Sequence, residues 1–226
     1  MIASALVASG PPEFRDRREA GQRLATALVP LAPAHPVVLA LPRGGVPVAF
    51  EVARRLRAPL GLLFVRKIGV PGVEEVGLGA IAAAGDGNAE PVLNEALMRQ
   101  VGVSREVLTP AVQRQRAEIA RQQAAYDGVA PAIAGRLVVV VDDGIATGGT
   151  MRAALRAVRH GGATRVVLAV PVAPPEALAD LAAECDDLVC LVAPSDFRAV
   201  GVHYADFRQV EDAEVRQLLA EARTAT

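Results

Sequence analysis

The residues best equipped for chemistry lie in one stretch, LVVVVDDGIATGGT, residues 137–150. Two adjacent carboxylates, Asp142 and Asp143, follow a run of five apolar residues. Ionised carboxylates accept hydrogen bonds and cannot donate them, so such a pair suits a hydroxylated sugar. A small, Gly- and Thr-rich turn comes next: Gly144, Ile145, Ala146, Thr147, Gly148, Gly149 and Thr150. It leads into MRAALRAVRH, which has helical patterning. Backbone N–H groups in such a turn, backed by the first turn of a helix, make a concave site that fits a phosphate. A phosphate cradle beside a diol clamp is a site for a ribose 5-phosphate.

Two other stretches could act on an anion. PRGG, residues 42–45, follows the apolar run VVLAL and offers Arg43 with the unobstructed backbone of Gly44 and Gly45. Arg66 and Lys67 end a second apolar run. Of 24 basic residues, Lys67 is the only lysine. A compact, mobile ammonium on a flexible stem differs from a planar guanidinium fork, so its position is a candidate site.

The elements that must carry these loops alternate between strand and helix. Helix is expected at 17–29, with Asp16 and Glu19 at capping-box spacing, and strand at 37–41. Helix follows at 46–56, strand at 60–65, a Gly/Pro-punctuated loop at 68–77 and a weaker strand at 78–84. Residues 92–126 have a polar helical pattern with a break expected near Thr109 and Pro110. Strands at 137–141, 165–170 and 187–192 then alternate with helices, and a last helix begins near residue 211. Such alternation implies right-handed βαβ units and a mostly parallel sheet flanked by helices. Ligands of such sheets bind beyond the carboxyl ends of the strands, where loops 42–45, 66–77 and 142–150 fall. One domain over 14–226 is expected, with its core at about 37–192 and a loose arm at 1–13.

Composition narrows the classes. A net charge of -1 argues against a protein that binds nucleic acid by neutralising phosphates. No apolar run approaches membrane-spanning length, and the N-terminus lacks the basic start of a secretory signal. Cys185 and Cys190 cannot make a disulfide scaffold or a four-cysteine zinc site. A cytoplasmic protein with reduced thiols is the expectation.

The stretch VVVVDDGIATGGT resembles the phosphoribosyl-diphosphate (PRPP) motif of the type I phosphoribosyltransferases, in the form seen in adenine phosphoribosyltransferases. PRGG is similar to that family's pyrophosphate loop, and FVRKIGVPG to the start of its flexible catalytic loop. FRDRREAG, LPRGGVPVA, RKIGVPG and VDDGIATGGT together look like a bacterial group whose acceptor is undefined. The resemblance implies the family's fold, with a small hood built from the terminal segments. It implies that Asp142 and Asp143 hold the ribose hydroxyls, with Mg2+ bridging there, and that Gly144 to Thr150 bind the ribose 5-phosphate. Arg43, Gly44, Gly45, Arg66 and Lys67 would hold pyrophosphate, and a cis peptide is implied at Pro42–Arg43. Hypoxanthine-guanine relatives carry an acid where this chain has Ala146; adenine-type relatives use a glutamate of the flexible loop, which points to Glu74 or Glu75. A hood ring that stacks on the base is also implied, with Phe197 the candidate and a core aromatic the alternative reading of that residue.

The implied enzyme is a Mg2+-dependent phosphoribosyltransferase acting on PRPP and a nitrogen heterocycle, without a nucleic-acid or membrane partner. The family is often dimeric, so a homodimer is the expectation. A rival reading is a regulator of the same fold that senses PRPP or a nucleotide with little catalysis. The absence of a basic run in the sequence, and the presence of Arg43 and Lys67, count against it. A phosphohydrolase using Asp142 as nucleophile fits less well, because Asp-Asp-Gly is not the D-x-D arrangement of haloacid-dehalogenase-type enzymes.

Overall fold

The computed structural model describes residues 12–70, 73–83, 90–126 and 131–224, the side chains at 70, 73–77 and 90 excepted. In chain order the elements are α1 (Arg17–Leu28), β1 (Val37–Ala40), α2 (Gly45–Leu56), β2 (Leu60–Leu62), β3 (Phe64–Val70), β4 (Val73–Ala83) and β5 (Glu90–Leu93). Then come α3 (Glu95–Val101), α4 (Arg105–Ala124), β6 (Leu137–Val141), α5 (Gly149–His160), β7 (Arg165–Val172), α6 (Pro175–Leu181), β8 (Asp187–Val192) and α7 (Asp212–Thr224). Asp16 caps α1 by accepting from the Glu19 N–H at 2.8 Å, as the spacing predicts.

Among the described residues the strands form two sheets. The larger has order β2-β1-β6-β7-β8 and is parallel throughout. Alternate residues of its central strands serve opposite faces, as strand geometry requires. Val38, Ala40, Val139 and Val141 pack with Leu24 and Leu28 of α1, Val48 and Val52 of α2, and Leu218 of α7. Val37, Leu39, Val138 and Val140 pack with Met151, Leu155 and Val158 of α5 and Leu181 of α6. Each fully buried Val or Leu contributes about 1.5–3 kcal/mol, which explains why these runs carry no polar residue.

The ends of the described chain meet in the hood. Phe14 N–H donates to His203 C=O at 3.0 Å, and Ala205 and Asp206 N–H donate to Phe14 and Arg15 C=O at 2.8 Å. The Phe14 and Tyr204 rings pack 5.3 Å apart over Val172 and Val192.

Three sequence expectations need correction. The strand expected at 60–65 is split between the sheets: β2 lies on the edge of the large one, and β3 opens the antiparallel sheet β3-β4-β5. The loop expected over 66–77 is mostly the two arms of a hairpin, with register shifts between Ile68 and Gly69 and between Gly69 and Val70. Gly69 is absorbed as an irregularity within the ladder, so a glycine there does not mark a loop. Residues 90–93 are strand, and the helical break falls at Gly102, whose φ of 69° caps α3. Pro110 lies inside α4, and Thr109 donates its hydroxyl to Arg105 C=O at 3.2 Å rather than capping a helix.

Candidate functional site

β1 and β6 are hydrogen-bonded neighbours whose crossovers run to opposite sides, to β2 and to β7. That arrangement is the topological switch point of the sheet. Ala40 stands opposite Val141, so the loop after Ala40 and the loop after Val141 leave the sheet side by side. Leu41 N–H donates to Val141 C=O at 3.0 Å and joins them at the base.

Their proximity accounts for Gly44 and Gly45. A Cβ on Gly44 would stand 2.2 Å from Asp143 Oδ2. One on Gly45 would stand 2.9 Å from Asp142 Cα and from Val141 O. Only hydrogen fits at either place, so PRGG and VDD fit together by direct contact. The Pro42–Arg43 peptide is cis, as the resemblance implies.

The two carboxylates lie where burial works against charge, and Asp143 adds repulsion on Asp142. Burial, and then the Asp143 carboxylate, push the Asp142 carboxyl well above its ordinary value of 3.8. Burial raises Asp143 too, against the opposing pull of the Arg17 guanidinium. Asp142 Oδ1 accepts from the Asp143 N–H at 2.9 Å, while Arg17 Nε donates to Asp143 Oδ2 at 2.8 Å. Tyr204 Oη donates to the Asp143 carbonyl at 2.6 Å.

Beyond the aspartates the turn is anchored at two points and open between them. Gly144 packs against Val200 and Val172, and buried Ile145 donates its N–H to Val172 C=O at 2.9 Å. Ala146 and Thr147 are exposed. Gly148 has a φ of 74°, a left-handed conformation that favours glycine, and it forms the N-cap of α5. Gly149 and Thr150 start that helix, so their N–H groups belong to its unsatisfied first turn. Lys67 reaches this spot from β3: its Nζ lies 3.2 Å from where a Gly149 Cβ would stand.

A model of the phosphoribosyl transferase domain family matches residues 22–206. The chain belongs to this family.

A Mycobacterium tuberculosis protein, provisionally named a phosphoribosyl transferase and recorded in two strains, is 44% identical to this chain over 211 residues. The match takes in 92% of this chain and 47% of the relative, so the chain spans about half the length of the curated relatives it matches. The crystal structure of TT1426 from Thermus thermophilus shares 47% identity at a TM-score of 0.83, covering 92% of this chain and 98% of that one. A Neisseria gonorrhoeae protein solved with bound ppGpp is 14% identical at a TM-score of 0.50 over 96% of this chain and 99% of its own, a likeness of fold alone.

Next to the switch point is a cavity of about 330 Å³, lined among others by Pro42, Arg43, Arg66, Arg121, Tyr126 and Thr150. Arg66 and Lys67 leave β3 on opposite faces, as neighbours on a strand must, so one lines the cavity while the other covers the start of α5. Arg66 Nη2 lies 3.4 Å from Glu118 of α4, and Arg43 Nη1 lies 3.6 Å from Asp212. Tyr126 donates its hydroxyl to Asp212 at 2.6 Å, and burial, reinforced by that bond, pushes it up to about 12.

The structure thus brings together Arg43, Gly44, Gly45, Arg66, Lys67, Asp142, Asp143 and residues 144–150. Phe197 is half-buried, and its ring stacks on His203 at 5.5 Å. His203, which in sequence has no metal-ligand or triad company, pairs with Glu13 at 2.9 Å. Glu74 and Glu75 belong to β4, but their side chains lie outside the described residues. Sequence reasoning missed Arg17, Tyr204 and Arg121. FRDRREAG contains Arg17, but helical periodicity explains that segment without any contact to a residue 126 positions away.

No group of three or more His, Cys, Asp or Glu that could hold a metal is found among the described residues. No helix among them is long and apolar enough to cross a membrane.

Proposed function

We propose that this chain moves the 5-phosphoribosyl group of PRPP to a ring nitrogen of a nucleobase or similar heterocycle and releases pyrophosphate. The observation that carries this reading is the contact of the Gly44 backbone with the Asp143 carboxylate. It puts an arginine-flanked, side-chain-free loop beside a pair of acids and the start of α5. PRPP has that order of groups: pyrophosphate at C1, hydroxyls at C2 and C3, phosphate at C5.

In this reading residues 146–150 take the 5-phosphate on backbone N–H groups and threonine hydroxyls. Asp142 and Asp143 accept from the ribose hydroxyls. Backbone N–H groups of Arg43 and Gly44, with the side chains of Arg43, Arg66 and Lys67, hold the pyrophosphate, while the Gly45 N–H donates to Leu41 C=O. The C1–O bond to pyrophosphate breaks, the C1–N bond forms on the opposite face, and a proton leaves the acceptor nitrogen. Ala146 cannot take that proton, so Glu74 and Glu75 are the candidates to manage it. The hairpin that carries Lys67 keeps water from a carbon that would otherwise be hydrolysed.

The acids also fit Mg2+. Burial raises both carboxyls and the neighbouring Asp143 charge raises Asp142 further, and a divalent cation beside them would offset that cost. Bound with PRPP, Mg2+ would offset the negative charge that develops on the leaving group.

A panel of purines, pyrimidines and related heterocycles, assayed for PRPP- and Mg2+-dependent pyrophosphate release, tests the proposal. At least one heterocycle should support release, and Asp143→Asn should lower its kcat by about 10²–10³-fold. A panel without any release, or an Asp143→Asn enzyme of near-normal rate, overturns the assignment.

A further inference from the structure

Arg17 is the residue whose position the sequence least explains. It opens α1, where a positive charge opposes the helix dipole, so its placement has a local cost. Three contacts fix its guanidinium. Nε donates to Asp143 Oδ2 at 2.8 Å, Nη1 donates to Arg208 C=O at 2.8 Å, and the group lies 3.8 Å from the centre of the Phe207 ring. The Arg17 and Asp143 side chains are only 11% and 14% exposed, unlike the arginine pairs elsewhere on the surface. Arg17, Phe207 and Arg208 all lie outside residues 22–206, the part that matches the family.

The contact constrains the same Asp143 oxygen that the 42–45 loop approaches. Asp143 Oδ2 lies against the backbone of Gly44 and accepts from Arg17 Nε. Tyr204, on the same hood, holds the Asp143 carbonyl. Oδ1 is then the oxygen that a sugar hydroxyl would meet.

We propose that Arg17 is a positioning residue for the sugar site: its planar fork sets the Asp143 carboxylate for the ribose hydroxyls of PRPP and couples that carboxylate to the hood. The proposal rests on the PRPP reading above. An ammonium could supply the charge, but it could not bond the carboxylate and the Arg208 carbonyl in one plane while lying flat on Phe207. Arg17 acts through Asp143, so its loss should be felt by a ligand that has a ribose and not by one that lacks it.

Calorimetric titration of the full chain tests this, with PRPP and, separately, inorganic pyrophosphate, each with Mg2+. Arg17→Gln should lose PRPP affinity by about tenfold or more, the effect of one charge-assisted hydrogen bond. Its pyrophosphate affinity should stay within about twofold of wild type, as for an independent site. Arg17→Lys should stay near the glutamine variant, and it carries the same comparison if Arg17→Gln does not fold. Equal loss of both ligands, loss of neither, or full recovery with lysine overturns the inference while the PRPP reading stands. A wild-type chain that binds neither ligand overturns both.

Discussion

Two regions meet at Asp143 and are built on different principles. The loops at the switch point work through backbone: Gly44 and Gly45 permit close approach, Gly148 turns the chain, and the start of α5 presents N–H groups. The hood works through side chains brought from both ends of the described chain: Arg17 on the carboxylate and Tyr204 on the carbonyl of the same residue. Each loop of the first region is a short stretch of sequence, and its glycines stand where a Cβ would clash. The second is distant in sequence and depends on particular hydrogen-bonding groups. A residue held from both regions should respond differently to damage on each side.

The largest effect should come from the backbone side. In Gly44→Ala the new Cβ would overlap Asp143 Oδ2, and Arg17 limits where the carboxylate can retreat. Misplacing a positioning group by about 1 Å can cost about 100-fold, so kcat/KM should fall by that order, with a stability loss of about 1–3 kcal/mol from overpacking. Steady-state kinetics and thermal melts check this. A variant within threefold of wild type, on the order of experimental scatter, would mean that the two loops can separate without consequence.

Asp142→Asn should separate stability from function. A carboxyl raised by burial favours the folded state below its ordinary value of 3.8, and that contribution is lost as pH rises through the folded value. Asparagine does not titrate. In Mg2+-free buffer the variant should therefore melt above wild type at neutral pH, and the difference should shrink as pH falls toward 4, about the ordinary carboxylate value. Melts across pH measure it, and a gap that widens on acidification would reverse the sign of the argument. Turnover should fall in the same protein.

The smallest effect should come from the hood carbonyl contact. Tyr204→Phe removes one hydroxyl and keeps the ring on Phe14, so stability should drop by about 0.5–1.5 kcal/mol. Activity should change less than in Gly44→Ala. A larger kinetic loss in Tyr204→Phe than in Gly44→Ala would invert the comparison and give the hood the leading role.

The sequence by itself determined the central sheet and the backbone half of the site. Short, valine-rich apolar runs such as 137–141 suit strands buried on both faces, and the turns that follow them carry residue types that leave N–H groups accessible. These signals are local, because hydrophobic periodicity and turn chemistry act over a few residues. Tertiary structure alone decided how the loops meet. Nothing in PRGG states that its glycines face Asp142 and Asp143; that follows from β1 and β6 being neighbours in the sheet. It decided that residues 64–70 and 73–83 pair as a hairpin, where the Gly/Pro signal suggests loop, because pairing satisfies backbone groups that glycine leaves bare. It also decided that Arg17 belongs to the site. The helical period of α1 says which residues it buries, whereas the partner of its first arginine depends on how the N- and C-terminal segments pack against the sheet, which is a long-range property of the folded chain.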